Sequence, residues 1–222
     1  MYKFDKTKLA FIGDSVTEGC FGFYETSYGF DTYREPEKSY PRKVTAALKN
    51  AFGETAVEPI YAGVSGDSTA KILLRIDDVL ALKPDIAVVA SGLNDIFRPF
   101  DKIRENYSLL ISKIAQEVPA VIVMTPPMIA PYVRDDIPQY ARKFAVSAVE
   151  KQNDGTLRRI AQIEREVAAK YGAKICDVYS YWENLYLHGE DVTLLMANMI
   201  NHPCEKMHDE AARLLLETLE KI

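Results

Sequence analysis

Cysteine is scarce in this sequence, and the few that occur are poorly placed for cross-linking. Of the 222 residues, 3 are cysteine: Cys20, Cys176 and Cys204. They are odd in number, widely spaced and form no CxxC pair, which excludes a disulfide framework and disfavours a zinc knuckle. We therefore expect reduced thiols and a core held by ordinary packing, for which a chain of this length is sufficient.

The sequence also lacks long apolar runs and an excess of basic charge. No apolar stretch approaches membrane-spanning length, and the N-terminal segment MYKFDKTKLAFIGDS lacks the apolar region and cleavage site of a signal peptide. Lys and Arg number 27 against 32 Asp and Glu, for a net charge of −5 that is mixed along the chain. Nucleic acid and membrane are therefore not expected as partners, and a cytoplasmic location is expected.

Short apolar runs alternate with longer helical patterns, which is typical of βαβ units around a buried parallel sheet. With 48% hydrophobic and 27% charged residues, the composition is that of a globular protein, and we expect one domain over 1–222. The predicted strands are 9–12, 57–61, 86–90, 121–124 and 174–178. Two predicted helices carry apolar stripes, namely Ile103, Tyr107, Leu110, Ile111 and Ile114, with Asp101 as a cap, and Met207, Ala211, Leu214, Leu215 and Leu219.

Two segments do not fit the alternation. Residues 20–39 are rich in aromatics, glycine and charge without a clear period, and we interpret them as a long loop. Residues 125–139 contain four prolines, which forbid a regular helix and indicate a semi-rigid loop. Long loops in compact domains are often functional, so both are expected near a site.

Four polar blocks follow the predicted strands or precede the last helix. They are Gly-Asp-Ser at 13–15, Gly-Val-Ser-Gly-Asp-Ser at 63–68, Gly-Leu-Asn-Asp at 92–95 and Asn-Met-Ile-Asn-His-Pro at 198–203. In a doubly wound sheet, ligands bind beyond the carboxyl ends of the strands, where these blocks fall. Each block alone is weak, because its residues are also ordinary turn formers, but the four together predict a site.

In the order and position of these blocks, the sequence resembles the SGNH or GDSL hydrolases, a family of esterases, lipases and carbohydrate acylesterases. The resemblance runs from FIGDSVTEG through AGVSGDST and SGLND to INHPCEKMHDEAARLL, essentially the whole chain. It implies an α/β fold of three layers, α/β/α and flavodoxin-like, with a five-stranded parallel sheet in the order 2-1-3-4-5.

The resemblance also implies site residues. Ser15 looks like the nucleophile, His202 its base, and Ser15, Gly66 and Asn94 the oxyanion hole. A serine hydroxyl is a weak nucleophile that needs an adjacent imidazole to take its proton. The oxyanion that follows needs hydrogen-bond donors already aimed at it. Glycine suits that place because backbone without a side chain can approach substrate closely.

The sequence departs from the family where an aspartate usually stands before the catalytic histidine. Met199 lies three residues before His202 and Asn198 four before, so the usual carboxylate is absent. We favour a Ser-His dyad with Asn198 as a neutral orienter of the ring, as asparagine acts in papain-like enzymes. The alternatives are a backbone carbonyl, a carboxylate from elsewhere such as Asp191, or a degenerate site that binds without turnover.

The predicted function is removal of a short acyl group, most simply acetyl, from a carbohydrate or other small polar ester. No cofactor and no metal are predicted. Aromatics of the loop after Ser15, among them Phe21 and Tyr24, are candidates for stacking on sugar rings, and Pro127 and Met128 for lining an acyl pocket. A lysophospholipase or thioesterase with the same machinery stays open as an alternative.

Other functions are less well supported by the sequence. A non-catalytic flavodoxin-like binding module would bind phosphate or flavin, but neither GxxxxGK[ST] nor GxGxxG occurs. A cysteine hydrolase would need Cys20 as nucleophile with His202, in a context that does nothing to lower the thiol pKa. A metal hydrolase built on His202 and His208 is disfavoured because residues six apart do not share a helix face.

The remaining polar candidates are assigned structural roles. His188 and His208 lack a motif context and are expected at the surface. Asp14 and Asp95 are expected to brace their loops by hydrogen bonds, since aspartate commonly bonds to nearby backbone in turns.

Overall fold

A five-stranded parallel sheet lies at the centre of the computed structural model, which describes residues 4–222. The strands are β1 (Thr7–Gly13), β2 (Cys20–Thr26), β3 (Gly29–Arg34), β4 (Val57–Gly63), β5 (Ile86–Ala90), β6 (Ala120–Met124) and β7 (Lys174–Cys176). The parallel sheet has the order β4-β1-β5-β6-β7, and β2 and β3 form a separate antiparallel pair. Counted over the five parallel strands, this is the predicted order 2-1-3-4-5.

Eight α-helices accompany the strands in the described chain. They are α1 (Ser15–Glu18), α2 (Tyr40–Phe52), α3 (Thr69–Leu80), α4 (Phe100–Glu117), α5 (Gln139–Asn153), α6 (Thr156–Tyr171), α7 (Val178–Leu187) and α8 (Glu205–Leu219). Helices α2 and α8 pack together, while α4 contacts both α3 and α6. The sheet and these two helical groups make the three-layer α/β/α architecture, which confirms the expected fold class.

The predicted apolar stripes form the contacts between helices and sheet. All five stripe residues of α4 are buried, and so are Met207, Ala211, Leu215 and Leu219 of α8. Leu214 is only partly buried and packs at the edge of the core. Pro99 occupies the N-cap position of α4, so the expected cap by Asp101 is wrong; Asp101 lies within the first turn.

One predicted strand ends early. Strand β7 ends at Cys176, and Val178, assigned to a strand, begins α7 instead. The reason is Asp177, whose carboxylate accepts the backbone N–H of Ser180 at 3.1 Å and caps the helix.

Residues 20–34 form a β-hairpin, so the prediction of an irregular loop there is wrong. Strands β2 and β3 pair antiparallel, with Thr26 opposite Gly29 across a two-residue turn. Gly29 has a φ of 125°, which a residue with a side chain rarely adopts. Aromatic and threonine residues favour strands, and they outweigh the lack of a clear period in this segment. Residues 125–138 form no regular element, as the four prolines predict.

The register of the sheet brings the polar blocks together. Gly13, the last residue of β1, lies opposite both Gly63 of β4 and Ala90 of β5, so the three strands end level with one another. A side chain at Gly63 would overlap the backbone of Thr17 and Glu18, with contacts of 2.4 Å to 2.9 Å. The small residue thus lets α1 rest directly on the neighbouring strand end.

None of the helices within residues 4–222 has both the length and the apolar character needed to cross a bilayer.

Candidate active site

Ser15 lies where β1 turns into α1. Asp14 caps this short helix, because its Oδ1 accepts the N–H of Val16 at 3.0 Å. Ser15 is the first helical residue, and its side chain is nearly buried. The Ser15 Oγ lies 3.0 Å from Nε2 of His202. The structure thus brings together the predicted nucleophile and the predicted base, which are 187 residues apart in sequence.

The second ring nitrogen of His202 meets the protein backbone. Nδ1 lies 3.0 Å from the carbonyl oxygen of Phe21, in strand β2 of the hairpin. A carbonyl can only accept a hydrogen bond, so Nδ1 carries the ring proton of the neutral imidazole. Nε2 is then bare and accepts the hydroxyl hydrogen of Ser15. Burial lowers the pKa of His202 to about 4, and the bond to Phe21 opposes this only in part.

Asn198 makes no hydrogen bond to the imidazole, contrary to the favoured interpretation of the sequence. Its Oδ1 accepts three backbone N–H groups, from Ile200 (3.0 Å), Asn201 (2.9 Å) and His202 (2.9 Å). Its Nδ2 donates to Oδ1 of Asn201 at 2.9 Å. These bonds engage both ends of the side chain with the turn itself, as asparagine commonly does with nearby backbone. Asn198 therefore holds the turn that carries His202, and its predicted role as ring orienter is wrong.

The two other candidates for a third group also lie elsewhere. Asp191 is exposed; it accepts the hydroxyl of Tyr132 at 2.6 Å and the N–H of Thr193 at 3.1 Å. Met199 has a φ of 62°, a left-handed conformation that is uncommon for a residue with a long side chain. Within residues 4–222, the backbone carbonyl of Phe21 is the group that meets Nδ1 of His202. Of the alternatives left open by the sequence, the geometry selects the backbone carbonyl.

The predicted oxyanion donors follow the ends of β1, β4 and β5, which are level with one another. Gly66 is exposed, with a φ of 76° and open space where a side chain would be. In the described chain, neither the N–H of Ser15 nor that of Gly66 has an acceptor. Asn94 donates one hydrogen of its Nδ2 to the carbonyl of Asp67 at 3.0 Å, which fixes the amide and leaves its second hydrogen available. Their action on an oxyanion stays a prediction.

A family model of the GDSL-like lipases and acylhydrolases matches residues 11–209, which is most of the chain. The chain belongs to the GDSL-like lipase/acylhydrolase family. The resemblance seen in the four polar blocks is thereby confirmed.

Individual relatives agree with the family match. An acetylxylan esterase of Geobacillus stearothermophilus is 32% identical over 104 residues, which cover 42% of this chain and 42% of that protein. Among solved structures, the acetylxylan esterase Axe2 of the same organism has a TM-score of 0.75 at 21% identity and covers 99% of this chain and 96% of its own. LAE5, from the metagenome of Lake Arreo, has a TM-score of 0.73 at 24% identity, with 97% and 96% covered. At these identities the structures show a shared fold.

Three loops of the candidate site are tied together by side chains that were not predicted from the sequence. Glu18 accepts the N–H of Ser65 at 2.7 Å through Oε2 and pairs with Arg34 of the hairpin at 2.7 Å through Oε1. Arg75 bridges Asp67 (2.7 Å) and the carbonyl of Gly13 (3.0 Å). Glu18 lies inside the quoted GDSVTEG block, so its position beside the nucleophile was the available signal.

The expected braces are in place. Asp95 accepts both the backbone N–H of Thr69 (2.9 Å) and its hydroxyl (2.8 Å), linking the third polar block to the start of α3. Burial raises the pKa of Asp95, and burial together with the nearby Asp95 and Asp67 charges raises that of Asp14 to about 7. Glu164 is completely buried with neither oxygen hydrogen-bonded in the described chain, and burial raises its pKa well above the usual value.

The predicted substrate-contacting residues are spread over different environments. Phe21 is buried, and its ring packs against His208 with centroids 4.9 Å apart, while Tyr24 is exposed on the hairpin. Met128 is buried in the core, and Pro127 borders a cavity of about 20 Å³ beside Asp14. Their contact with substrate stays a prediction.

The burial of three further residues tests what was expected of them. His188 is exposed as predicted, but His208 is fully buried, so the expectation of a surface position for it is wrong. Cys20 is buried, and burial raises the pKa of its thiol, which disfavours a thiolate nucleophile. Among the described residues, no group of three or more His, Cys, Asp or Glu side chains is placed to hold a metal ion.

Proposed function

We propose that this chain is a carboxylic ester hydrolase that uses Ser15 and His202 to remove acetyl groups from carbohydrate esters. The observation that carries the proposal is the pair of contacts made by His202. Nε2 lies 3.0 Å from the Ser15 hydroxyl, and Nδ1 lies 3.0 Å from a carbonyl that fixes the proton on that nitrogen. The family and the Geobacillus acetylxylan esterase support the reaction class and the acetylated carbohydrate.

The first half of the reaction forms an acyl-enzyme. The Ser15 oxygen attacks the ester carbonyl carbon as its proton passes to Nε2 of His202. The N–H groups of Ser15 and Gly66, with the free hydrogen of the Asn94 amide, stabilise the resulting oxyanion; loss of one such donor typically costs roughly 100- to 1000-fold in rate. The carbon–oxygen bond to the sugar then breaks, and the alkoxide takes the proton from Nε2.

The second half returns the enzyme to its starting state. Water attacks the acetyl-serine carbonyl while giving a proton to Nε2, the same donors stabilise the second oxyanion, and the bond to the Ser15 oxygen breaks. Ser15 recovers its proton from the imidazolium. In each half the positive charge on His202 has the Phe21 carbonyl dipole beside it in place of a carboxylate.

Acetyl is proposed as the acyl group because the Geobacillus relative is an acetylxylan esterase. A longer acyl chain, as in a lysophospholipase or thioesterase substrate, is the alternative that an acyl-length series tests.

The test is an acyl-length series of chromogenic esters, together with acetylated sugars, on the wild type and on Ser15→Ala. We expect a preference for acetate and a loss of at least about 10⁴-fold in kcat for Ser15→Ala. Asn184→Ala, an exchange on α7, is the matched control. Activity that survives in Ser15→Ala would contradict the mechanism. A preference for long acyl chains would contradict the assignment as an acetylesterase. A protein that binds these esters without turnover would be a degenerate member of the family.

A further inference from the structure

An open groove lined by aromatic rings lies next to the proposed catalytic site. Its walls come from the hairpin turn, from the segment that follows Asn94 and from α5, and its volume is about 410 Å³. We call it the aromatic groove, and its lining residues are Tyr28, Gly29, Phe30, Phe97, Tyr140, Lys143, Phe144 and Ser147.

One aromatic ring connects the aromatic groove to the catalytic histidine. The ring of Phe23 contacts the ring of His202, with centroids 5.7 Å apart. Phe23 also contacts Phe30, with centroids 4.5 Å apart, and Phe144, with centroids 6.5 Å apart, and both of these rings line the groove. The groove therefore begins one aromatic ring away from the imidazole.

A second connection runs through the oxyanion block. Phe97 lies three residues after Asn94, just beyond the short 3₁₀ helix Leu93–Asp95. Its side chain is 55% exposed and forms a wall of the groove. Two parts of the proposed site are thus linked to the same groove, the base through the Phe23 ring and an oxyanion donor through the short segment that leads to Phe97.

The exposed aromatic rings of the groove indicate a ligand-binding surface. Tyr28 is fully exposed at the hairpin turn and Phe97 is about half exposed, and both line the groove. Single exposed aromatics are normal on protein surfaces, whereas a contiguous set around a concave surface marks a binding site.

The chemistry of the lining matches a sugar ring better than an acyl chain. Aromatic faces carry partial negative charge, which attracts the C–H bonds on the flat face of a pyranose. The hydroxyls of Tyr28, Tyr140 and Ser147 and the ammonium of Lys143 supply hydrogen-bonding groups for sugar hydroxyls. An acyl chain would need an enclosed aliphatic channel, but this groove is open to solvent.

We propose that the aromatic groove is a saccharide subsite that binds a sugar unit next to the one whose ester is cleaved. The inference rests on the proposed function for the identity of that ester, while binding of the sugar itself does not require catalysis. It predicts that the enzyme favours acetylated oligosaccharides over acetylated monosaccharides.

Kinetics with three substrates test the proposal: acetylated xylotetraose, acetylated xylose and an aryl acetate. We expect a lower KM for acetylated xylotetraose than for acetylated xylose in the wild type. Tyr28→Ala and Phe97→Ala should reduce kcat/KM for the tetrasaccharide roughly three- to tenfold more than for the aryl acetate. Both side chains are at least half exposed, so their loss leaves the core intact. Tyr186→Ala, an aromatic that is 46% exposed outside the groove, is the matched control and should change neither substrate.

The contrary outcomes are distinct. Equal KM values for the tetrasaccharide and the monosaccharide, or equal losses on all substrates in the variants, would overturn the subsite. A dependence on Tyr28 and Phe97 confined to long-chain esters would assign the groove to an acyl chain and overturn the saccharide proposal.

A binding experiment separates this inference from the proposed function. If the wild type fails to hydrolyse even the aryl acetate, the esterase proposal fails, and calorimetric titration with unacetylated xylotetraose decides the groove. Binding that weakens three- to tenfold in Phe97→Ala, but not in Tyr186→Ala, supports the subsite. Undetectable binding, or binding equal in all three proteins, overturns it.

Discussion

Two buried histidines lie on either side of Phe21, and hydrogen bonds hold them in opposite tautomers. His202 faces the Phe21 carbonyl, an acceptor, so its proton is on Nδ1. His208 accepts the backbone N–H of Tyr40 at Nδ1, at 3.2 Å, so its proton is on Nε2. The ring of Phe21 packs on His208, which places one residue between both imidazoles.

Burial alone does not distinguish the two rings. It lowers the pKa of His202 to about 4 and that of His208 to about 3, so both are neutral at pH 7. His202 presents a bare Nε2 to the Ser15 hydroxyl, whereas the Nε2 of His208 has no hydrogen-bond partner within the described chain. The backbone group at Nδ1 therefore determines whether a buried imidazole can serve as a base.

The largest effect is expected at His202. His202→Ala should lower kcat for an aryl acetate by about 10⁴-fold, because the general base is lost. The variant should stay folded, so that the loss of activity is not a loss of stability. His188→Ala, at an exposed histidine, is the control and should keep full activity. A loss of less than about tenfold in His202→Ala would remove the imidazole from the mechanism.

His208 should matter for stability and little for chemistry. His208→Ala should lower the free energy of unfolding by about 2–4 kcal/mol, since it leaves a cavity and an unpaired Tyr40 N–H. Denaturant titration measures this, and kcat per folded molecule should stay within tenfold of the wild type. If kcat instead fell as far as in His202→Ala, the contrast between the histidines would be wrong.

The pH dependence of kcat/KM sharpens the comparison at His202 itself. A histidine base is active when neutral, so activity should fall only as the pH drops towards about 4. At pH 5 the enzyme should keep most of its activity, whereas a base with the ordinary pKa of about 6.5 would keep roughly one thirtieth.

Asp14 is the matched control for this profile. Its pKa is raised to about 7 and it adjoins Ser15 in sequence, so it titrates near neutral pH. Asp14→Asn keeps an acceptor for the Val16 N–H, and the acid limb should stay where it is in the wild type. An acid limb near pH 6.5 that persists in Asp14→Asn would contradict the lowered pKa of His202.

The smallest effect is expected at Asn198, where two variants test whether its side chain holds the turn that carries His202. Asn198→Asp keeps an oxygen for the three backbone N–H groups, so kcat/KM should stay within a few-fold of the wild type. Asn198→Ala leaves those groups without that acceptor and should lower kcat/KM about tenfold. Unfolding experiments should show about 1–3 kcal/mol lost in Asn198→Ala. An unchanged Asn198→Ala would show that the turn needs no brace.

The sheet and the convergence of the candidate site residues were predictable from sequence for one physical reason. Parallel strands end at a common edge, so polar blocks after successive strands must converge there. The structure brings Ser15 and His202 into contact, with Gly66 and Asn94 on loops at the same edge. The matched family model confirms the motif on which this prediction rested.

The errors arose where backbone groups or distant contacts decide the structure. Every residue has a backbone carbonyl, so no sequence signal marks that of Phe21 as the partner of His202. His208 is buried because Phe21 and Tyr40 cover it from other elements, which the sequence around His208 does not reveal. The hairpin was the avoidable error, since Gly29 after a short polar turn between aromatic runs is a hairpin signal.

The tautomers of the two buried histidines test the central claim most directly. Long-range ¹H–¹⁵N NMR of the histidine-labelled protein at pH 7 reports which ring nitrogen carries the proton, with signals assigned from His188→Ala and His202→Ala. We predict a proton on Nδ1 of His202 and on Nε2 of His208. A His202 ring that is protonated at Nε2, or at both nitrogens, would contradict the claim that the Phe21 carbonyl prepares the base.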